Sequence, residues 1–405
     1  MITRQQTFST LVLLSLAAFG SFGSLSHLFN LGLIILLLSS QFEAVYYRNN
    51  YKLKLFLSCI LSAVFFVSFF RSLFTHSLNE IFLASSPMLA IPILSILILL
   101  SNSKNFSFSL DQIARYSQIS IIIGIVVYFI LAMSPDHIRN DFAHSKELSL
   151  FSGNPIPFST VFLGLAFFSI SAWHTSGKYE KVKISICFLC GIYFAIFLSG
   201  SRGAFVAMLF SLPIVTWHLS RSRALSILVF TASLAILAVF IALLEFKVFY
   251  HPMIEGLIAS FKTIIWGGSE GKTDSLRVEM WKASFIAISE KPFTGYGISE
   301  RIEAIKHYLP AGFNYRFSHP HNDIMAISIS TGVLGGLFAF FALLSPFWAS
   351  LHKLNDCKEA TYLGIVISIT TLITAMVNTV FFNDITAAWL VFSTYLILNI
   401  KPKAT

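Results

Sequence analysis

Twelve apolar runs, at 8–22, 24–40, 53–70, 81–101, 116–134, 156–173, 182–198, 203–219, 224–244, 323–348, 361–381 and 385–400, leave this chain few ways to fold. Their interiors carry no Asp, Glu, Lys or Arg, and most have the roughly 20 residues that a helix needs to cross a bilayer core. Away from water each backbone N–H and C=O needs a partner, which a helix supplies within one segment. With 12% charged residues the chain holds half the roughly 25% usual in soluble domains. Its mean hydropathy of +0.76 agrees. The expected fold is an all-α integral membrane protein of about 12 transmembrane helices with one large loop between helices 9 and 10. The first run is short and follows only Arg4. Another run comes directly after it and no A-x-A site stands out, so a retained helix is expected rather than a cleaved signal peptide.

Basic residues orient the bundle. With the amino terminus in the cytoplasm, the inner segments hold fifteen Lys and Arg and the short outer loops four: Arg71, Arg139, Lys146 and Arg202. That asymmetry is the positive-inside pattern. It places both termini in the cytoplasm and the long connection at the outer face, the periplasm of a Gram-negative cell. Much of the +9 net charge is thereby accounted for, and nucleic acid is not an expected partner. The chain divides into 1–244 (helices 1–9), 245–321 (the loop, with short helices) and 322–405 (helices 10–12 and a tail).

Of the four cysteines, Cys59, Cys187 and Cys190 fall in apolar runs and Cys357 in a short charged loop. Cys187-Phe-Leu-Cys190 has C-x-x-C spacing, but on a continuous apolar helix it reads as packing rather than redox chemistry.

The loop is where polar sequence accumulates. Residues 274–289 have helical spacing, with Leu276, Met280 and Ala283 or Ala287 on one face. Lys291-Pro-Phe-Thr-Gly-Tyr-Gly297 supplies a stop and a turn. A second short helix over 300–309 would lie on the membrane surface with Ile302, Ile305 and Leu309 inward.

Three residues carry the candidate chemistry. Arg202 sits in Leu198-Ser-Gly-Ser-Arg202-Gly-Ala204, where two apolar runs meet at the outer face. It either snorkels or, with small neighbours allowing close approach, holds a buried lipid-linked phosphate. Arg277, on the first loop helix, is either solvated or a second phosphate ligand, with Trp281 four residues on to shield or stack it. Guanidinium forks suit phosphate oxygens, and two of them converging would neutralise a diphosphate. His321 precedes Asn322 and Asp323, both good helix starters. The positive end of a helix keeps such an imidazole neutral and able to accept a proton. His319 competes for that role. His-x-His also raises a metal, but no third ligand stands at suitable spacing, so neither metal nor cofactor is expected. Asn322, Trp281 and Tyr296 are possible supporting residues.

These residues, with Gly332-Val-Leu-Gly335 following His321-Asn322, resemble the O-antigen ligase and polymerase superfamily, and the likeness extends over most of the chain. The His-Asn to Gly-x-x-Gly spacing is its most specific part. The resemblance implies a GT-C-like, metal-independent, inverting glycosyltransferase of the inner membrane. Its donor would be a glycan on undecaprenyl diphosphate and its acceptor a sugar hydroxyl of lipid A-core, in lipopolysaccharide biosynthesis. Arg202 and Arg277 would then hold the diphosphate and His321 would activate the acceptor. The alternatives are a polymerase joining lipid-linked repeat units and a glycan transporter. Transport would call for ionisable residues within the bilayer or broken paired helices, which the proposed spans do not suggest.

Overall fold

The computed structural model describes residues 51–73, 108–132, 155–229, 272–311, 317–355 and 357–401, with a few single positions between them. The spans expected at 8–22 and 24–40, and most of those at 81–101 and 224–244, lie outside the described residues. Among the described residues the chain is all helical, with one isolated bridge, Phe108 to Ile400, in place of any strand.

In chain order the helices are α1 (Tyr51–Leu73), α2 (Leu110–Ala132), α3 (Pro155–Ser169), α4 (Lys178–Tyr193), α5 (Arg202–Ser220), α6 (Lys272–Glu290), α7 (Arg301–His307), α8 (Asp323–Thr331), α9 (Val333–Leu343), α10 (Ser345–Leu351), α11 (Lys358–Val377) and α12 (Asp384–Leu398). A π-turn, Phe194–Leu198, extends α4. Among the described residues four helices are long and apolar enough to cross a membrane: Lys52–Ser72, Lys178–Leu198, Arg202–Ser220 and Lys358–Val377. The pair α9 and α10, bent by 53°, makes a fifth if counted as one span.

The packing is that of a helix bundle in lipid. Helices α11 and α12 form the interior, packed on α3, α5 and α10. Trp389 of α12 is fully buried and lies edge-on to Phe168 with ring centroids 5.7 Å apart. A Cβ on Gly164 would stand 2.4 Å from that indole, so only glycine admits the ring. Buried hydroxyls join helices directly, Thr160 to Thr374 at 3.0 Å and Ser345 to Thr394 at 2.9 Å. Such pairs add polar interhelical contacts where apolar burial gives no advantage over lipid. Phe66 and Phe70 on α1 and Ile186 and Leu189 on α4 face outward. In water these patches would drive association, whereas acyl chains solvate them.

Span ten departs from expectation. Residues 323–348 form three pieces rather than one helix, because Gly332 takes φ 81°, ψ 178° and Pro346 stands in the first turn of α10. A break in a helix exposes carbonyls and N–H groups, and here the 291–297 turn satisfies several of them. Tyr296 N–H donates to Ile329 O at 2.8 Å, Gly297 N–H to Ser330 O at 2.9 Å, and Val333 N–H to Pro292 O at 2.7 Å. The two glycine motifs thus cross backbone to backbone. A Cβ on Gly295 would come within 2.5 Å of Ser330 C, and one on Gly332 within 2.5 Å of Pro292 O. Arg71 at the end of α1 fastens the same turn, donating to Thr294 O at 2.6 Å and Gly295 O at 3.2 Å. Ser72 Oγ accepts from Ile298 N–H at 2.9 Å.

The short loop helices form as expected, and the inward face of α7 packs on protein. Ala304 and Ile305 join Ala283 of α6 and Ile329 of α8 in a small separate core, with Ile302 and Leu309 against it. Span eleven ends at Val377, four residues before the expected 381, and Asn378 caps it.

Candidate functional site

The site gathers where the ends of α5, α6, α8 and α11 meet. The turn Ser318-His319-Pro320-His321 enters α8, and Asn322 caps that helix, its Oδ1 accepting from Met325 N–H at 3.1 Å. Asn322 is therefore occupied structurally. His321 holds φ 54°, a left-handed backbone that costs most L-residues about 1–2 kcal/mol. Such strain persists only where its surroundings impose it, and it is enriched at functional positions. Trp281 of α6 is part of what imposes it. Its indole N–H donates to Pro320 O at 2.9 Å, so the ring pins the histidine turn.

The two imidazoles lie 4.2 Å apart, tilted by 58°. His319 is engaged at both nitrogens, by Ser318 Oγ at 3.0 Å and Asn378 Oδ1 at 3.3 Å. An amide oxygen only accepts, so His319 Nε2 carries the proton and Nδ1 accepts from the Ser318 hydroxyl. His321 Nδ1 is buried and has no hydrogen-bond partner. Burial pushes the His321 pKa from 6.5 down to about 3, reinforced by His319 and the Arg277 guanidinium and opposed by Asn378. Burial likewise lowers His319, with Asn378 opposing it and Arg301 and Arg277 adding to it. Both rings are thus neutral near pH 7, which suits a proton acceptor. Arg277, on α6, is close enough to act on both.

Arg202 is the first residue of α5, after a tight turn in which Gly200 takes φ 61° and Ser201 caps the helix, accepting from Ala204 N–H at 3.3 Å. The small residue beside it serves protein packing. A Cβ on Gly203 would stand 2.8 Å from Val377 Cγ2, which sets the start of α5 against the end of α11, one residue before Asn378. The structure therefore brings Arg277, His319 and His321 into one cluster and puts Arg202 at the same end of the bundle. Tyr296 belongs instead to the framework of the loop. Lys291 Nζ lies 4.1 Å from its ring centroid and its hydroxyl is 3.4 Å from that of Tyr308.

Three further residues complete the site. Asn378 touches the histidine pair from α11. Asp323, fully buried, accepts from Val380 N–H and from Phe381 N–H at 2.7 Å, fixing the backbone just beyond Asn378. Arg301 lies over the Phe382 ring at 4.4 Å and donates to Ile298 O at 2.5 Å. Burial lowers its pKa from 12.5 to about 10, with Asp323 opposing that shift. His321 Nδ1, Asn378 Nδ2, Asp323 Oδ1 and Arg301 Nε are all buried without a hydrogen-bond partner. Buried polar atoms usually find a partner, so these four leave hydrogen-bonding capacity near the histidine pair.

A depressed histidine pKa has a definite pH signature. Between 6.5 and about 3 the unfolded chain binds a proton at His321 that the folded chain refuses. The stabilisation from this residue is therefore complete above about pH 6.5 and is lost as pH falls toward 3. Thermal midpoints taken between pH 7 and pH 4 should fall less steeply in His321→Asn than in the parent chain.

With this geometry in view, likeness to known proteins becomes informative. Residues 186–340, which span Arg202, Arg277, the histidine pair and both glycine motifs, match the family model described as O-Antigen ligase. Over 170 residues the chain is 27% identical to the General O-oligosaccharyltransferase of Acinetobacter baylyi, covering 40% of this chain. The matched part is 28% of that protein, so the chain spans under a third of its curated relative's length. The residues that build much of the cluster, from the π-turn of α4 to the broken span, are thus similar to the O-antigen ligase family.

Proposed function

We propose that this protein transfers a glycan from undecaprenyl diphosphate to a sugar hydroxyl of lipid A-core at the periplasmic face of the inner membrane. The observation that carries the reading is the neutral, half-buried His321, whose Nδ1 is buried and unpaired near the Arg277 guanidinium. In the proposed reaction His321 accepts the proton of the acceptor hydroxyl as that oxygen attacks the anomeric carbon from the face opposite the leaving group. The bond to the diphosphate oxygen breaks, its electron pair leaves with the lipid diphosphate, and the anomeric centre inverts. Arg277 and Arg202 meet the charge that develops on the leaving group, where fixed positive groups are most effective. His319, held by Ser318 and Asn378, keeps the neighbouring ring in place. Tethering both substrates in one membrane raises their effective concentration.

The test supplies radiolabelled lipid-linked glycan and purified lipid A-core to the reconstituted protein. Label on the core is expected, and a lengthened lipid-linked donor with an unmodified core would assign a polymerase instead. The relative's name, O-oligosaccharyltransferase, favours a second reading in which the acceptor hydroxyl lies outside lipid A-core. A polypeptide rich in Ser and Thr in the same assay distinguishes it. Arg202→Lys keeps charge and loses the fork, so a fall on the order of tenfold in transfer is expected. Arg277→Ala removes the charge as well and should cost on the order of a hundredfold or more. Both effects would be read from initial rates at equal amounts of membrane-inserted protein.

A further inference from the structure

Among the described residues of the loop Phe293 is the most exposed large hydrophobic side chain, at 89%, and it sits in the turn that docks on the broken span. The hydrogen bond from Val333 N–H to Pro292 O, and the Gly332 position against Phe293 C and O, fix the turn to the first residues of α9. That helix turns Val333, Leu334 and Leu337 outward, at 47%, 60% and 49% exposure. The phenyl ring thus extends an apolar surface that α9 already presents to lipid. On the other side of the turn Lys291 lies over the Tyr296 ring, and a cation with an aromatic ring suits the headgroup level of a bilayer. On α6 the face opposite buried Met280, Ala283 and Ala287 exposes Phe285 and Ile286. A loop immersed only in water would gain nothing from such residues.

From these contacts we infer that the turn at 291–297 is a membrane-interface anchor. Phe293 enters the acyl boundary of the leaflet on the side of the site, and Lys291 stays among the headgroups. The surface it fits is the lipid bilayer itself, continuous with the outward face of α9. This inference needs only that the chain spans a bilayer and stands apart from the glycan-transfer reading. It adds that the loop is held at the depth of lipid phosphates by its own side chains.

The experiment places an environment-sensitive fluorophore at Phe293→Cys, and separately at Lys306→Cys on α7, in a chain whose four native cysteines are replaced. Both proteins are reconstituted into phosphatidylethanolamine and phosphatidylglycerol vesicles. Lipids with a shallow doxyl group should quench the label at 293 at least about twofold more than that at 306, and aqueous iodide should do the reverse, as expected for a side chain buried at the acyl boundary. Equal iodide quenching at both positions, with no effect of doxyl lipid at 293, would overturn the anchor. The unaltered chain gives a second measurement that does not depend on the variants. A carbene precursor dissolved in the bilayer should modify the peptide that contains Phe293 as it does the α9 peptide. Adducts on α9 without adducts at 291–297 would also overturn it.

Discussion

His321→Ala and His321→Asn are expected to slow glycan transfer by about a hundredfold to ten-thousandfold, the usual contribution of a positioned proton acceptor. The two variants separate chemistry from folding. Alanine must still adopt φ 54° and leaves space beside His319, whereas asparagine tolerates the left-handed region well. A fold defect would therefore appear in alanine and be relieved in asparagine, while loss of the base would appear in both. Initial rates with lipid-linked donor, at matched amounts of extracted protein with matched thermal midpoints, are the measurement. A rate within severalfold of the parent in His321→Asn would remove His321 from the reaction. His319 would then inherit the role only if Asn378→Ala, which frees its Nε2, changed the pH profile of transfer.

Gly332→Ala is expected to destabilise the protein by about 2–5 kcal/mol, from backbone strain combined with overpacking. The new Cβ would stand 2.5 Å from Pro292 O and 2.7 Å from Phe293 C, both main-chain atoms that cannot rotate away. The residue would also have to hold φ 81°. The loop turn and the break in span ten are in contact here, so relief of the clash separates them and loosens the attachment of α6 and Trp281. A drop in thermal midpoint should thus accompany a loss of transfer. Gly177→Ala is the control, since a Cβ there meets nothing within 4 Å and the expected change is within about 1 kcal/mol. A parent-like midpoint for Gly332→Ala would show that the turn does not bear on the break.

Much of this was legible in sequence where a single local rule decides the outcome. The apolar runs at 53–70, 182–198 and 203–219 became helices nearly to their limits, because span length and an apolar interior leave no other solution. Met280, Ala283 and Ala287 marked the inward face of α6 correctly, since that face follows from helical spacing. Span ten and the end of span eleven required tertiary information. Gly332 within an apolar run looks the same whether the helix continues or breaks, and what decides it is the 291–297 turn arriving to take up the freed carbonyls. Arg301 carried no sequence signal of its own, yet it packs half-buried over Phe382 with Asp323 within electrostatic reach. Asn378 carried a weak signal, an amide where an apolar run gives way to Asn378-Thr-Val-Phe-Phe-Asn383. Its meaning depends on a histidine 59 positions away. Trp281 was chosen for the right neighbourhood, and its bond to Pro320 O became visible only in the fold.

The crossing of the loop turn over Gly332 is made of main-chain groups, with Arg71 also grasping main-chain oxygens. A joint of that kind constrains few side chains. Thr294 can drift among related sequences, and Phe293 among apolar residues, so long as Gly295, Gly332 and an arginine at 71 persist, and invariance should concentrate on those three. Insertions should be tolerated far better around 310–311, beyond α7 and Leu309, than by even one residue within 291–298, where the register between two distant parts of the chain would slip.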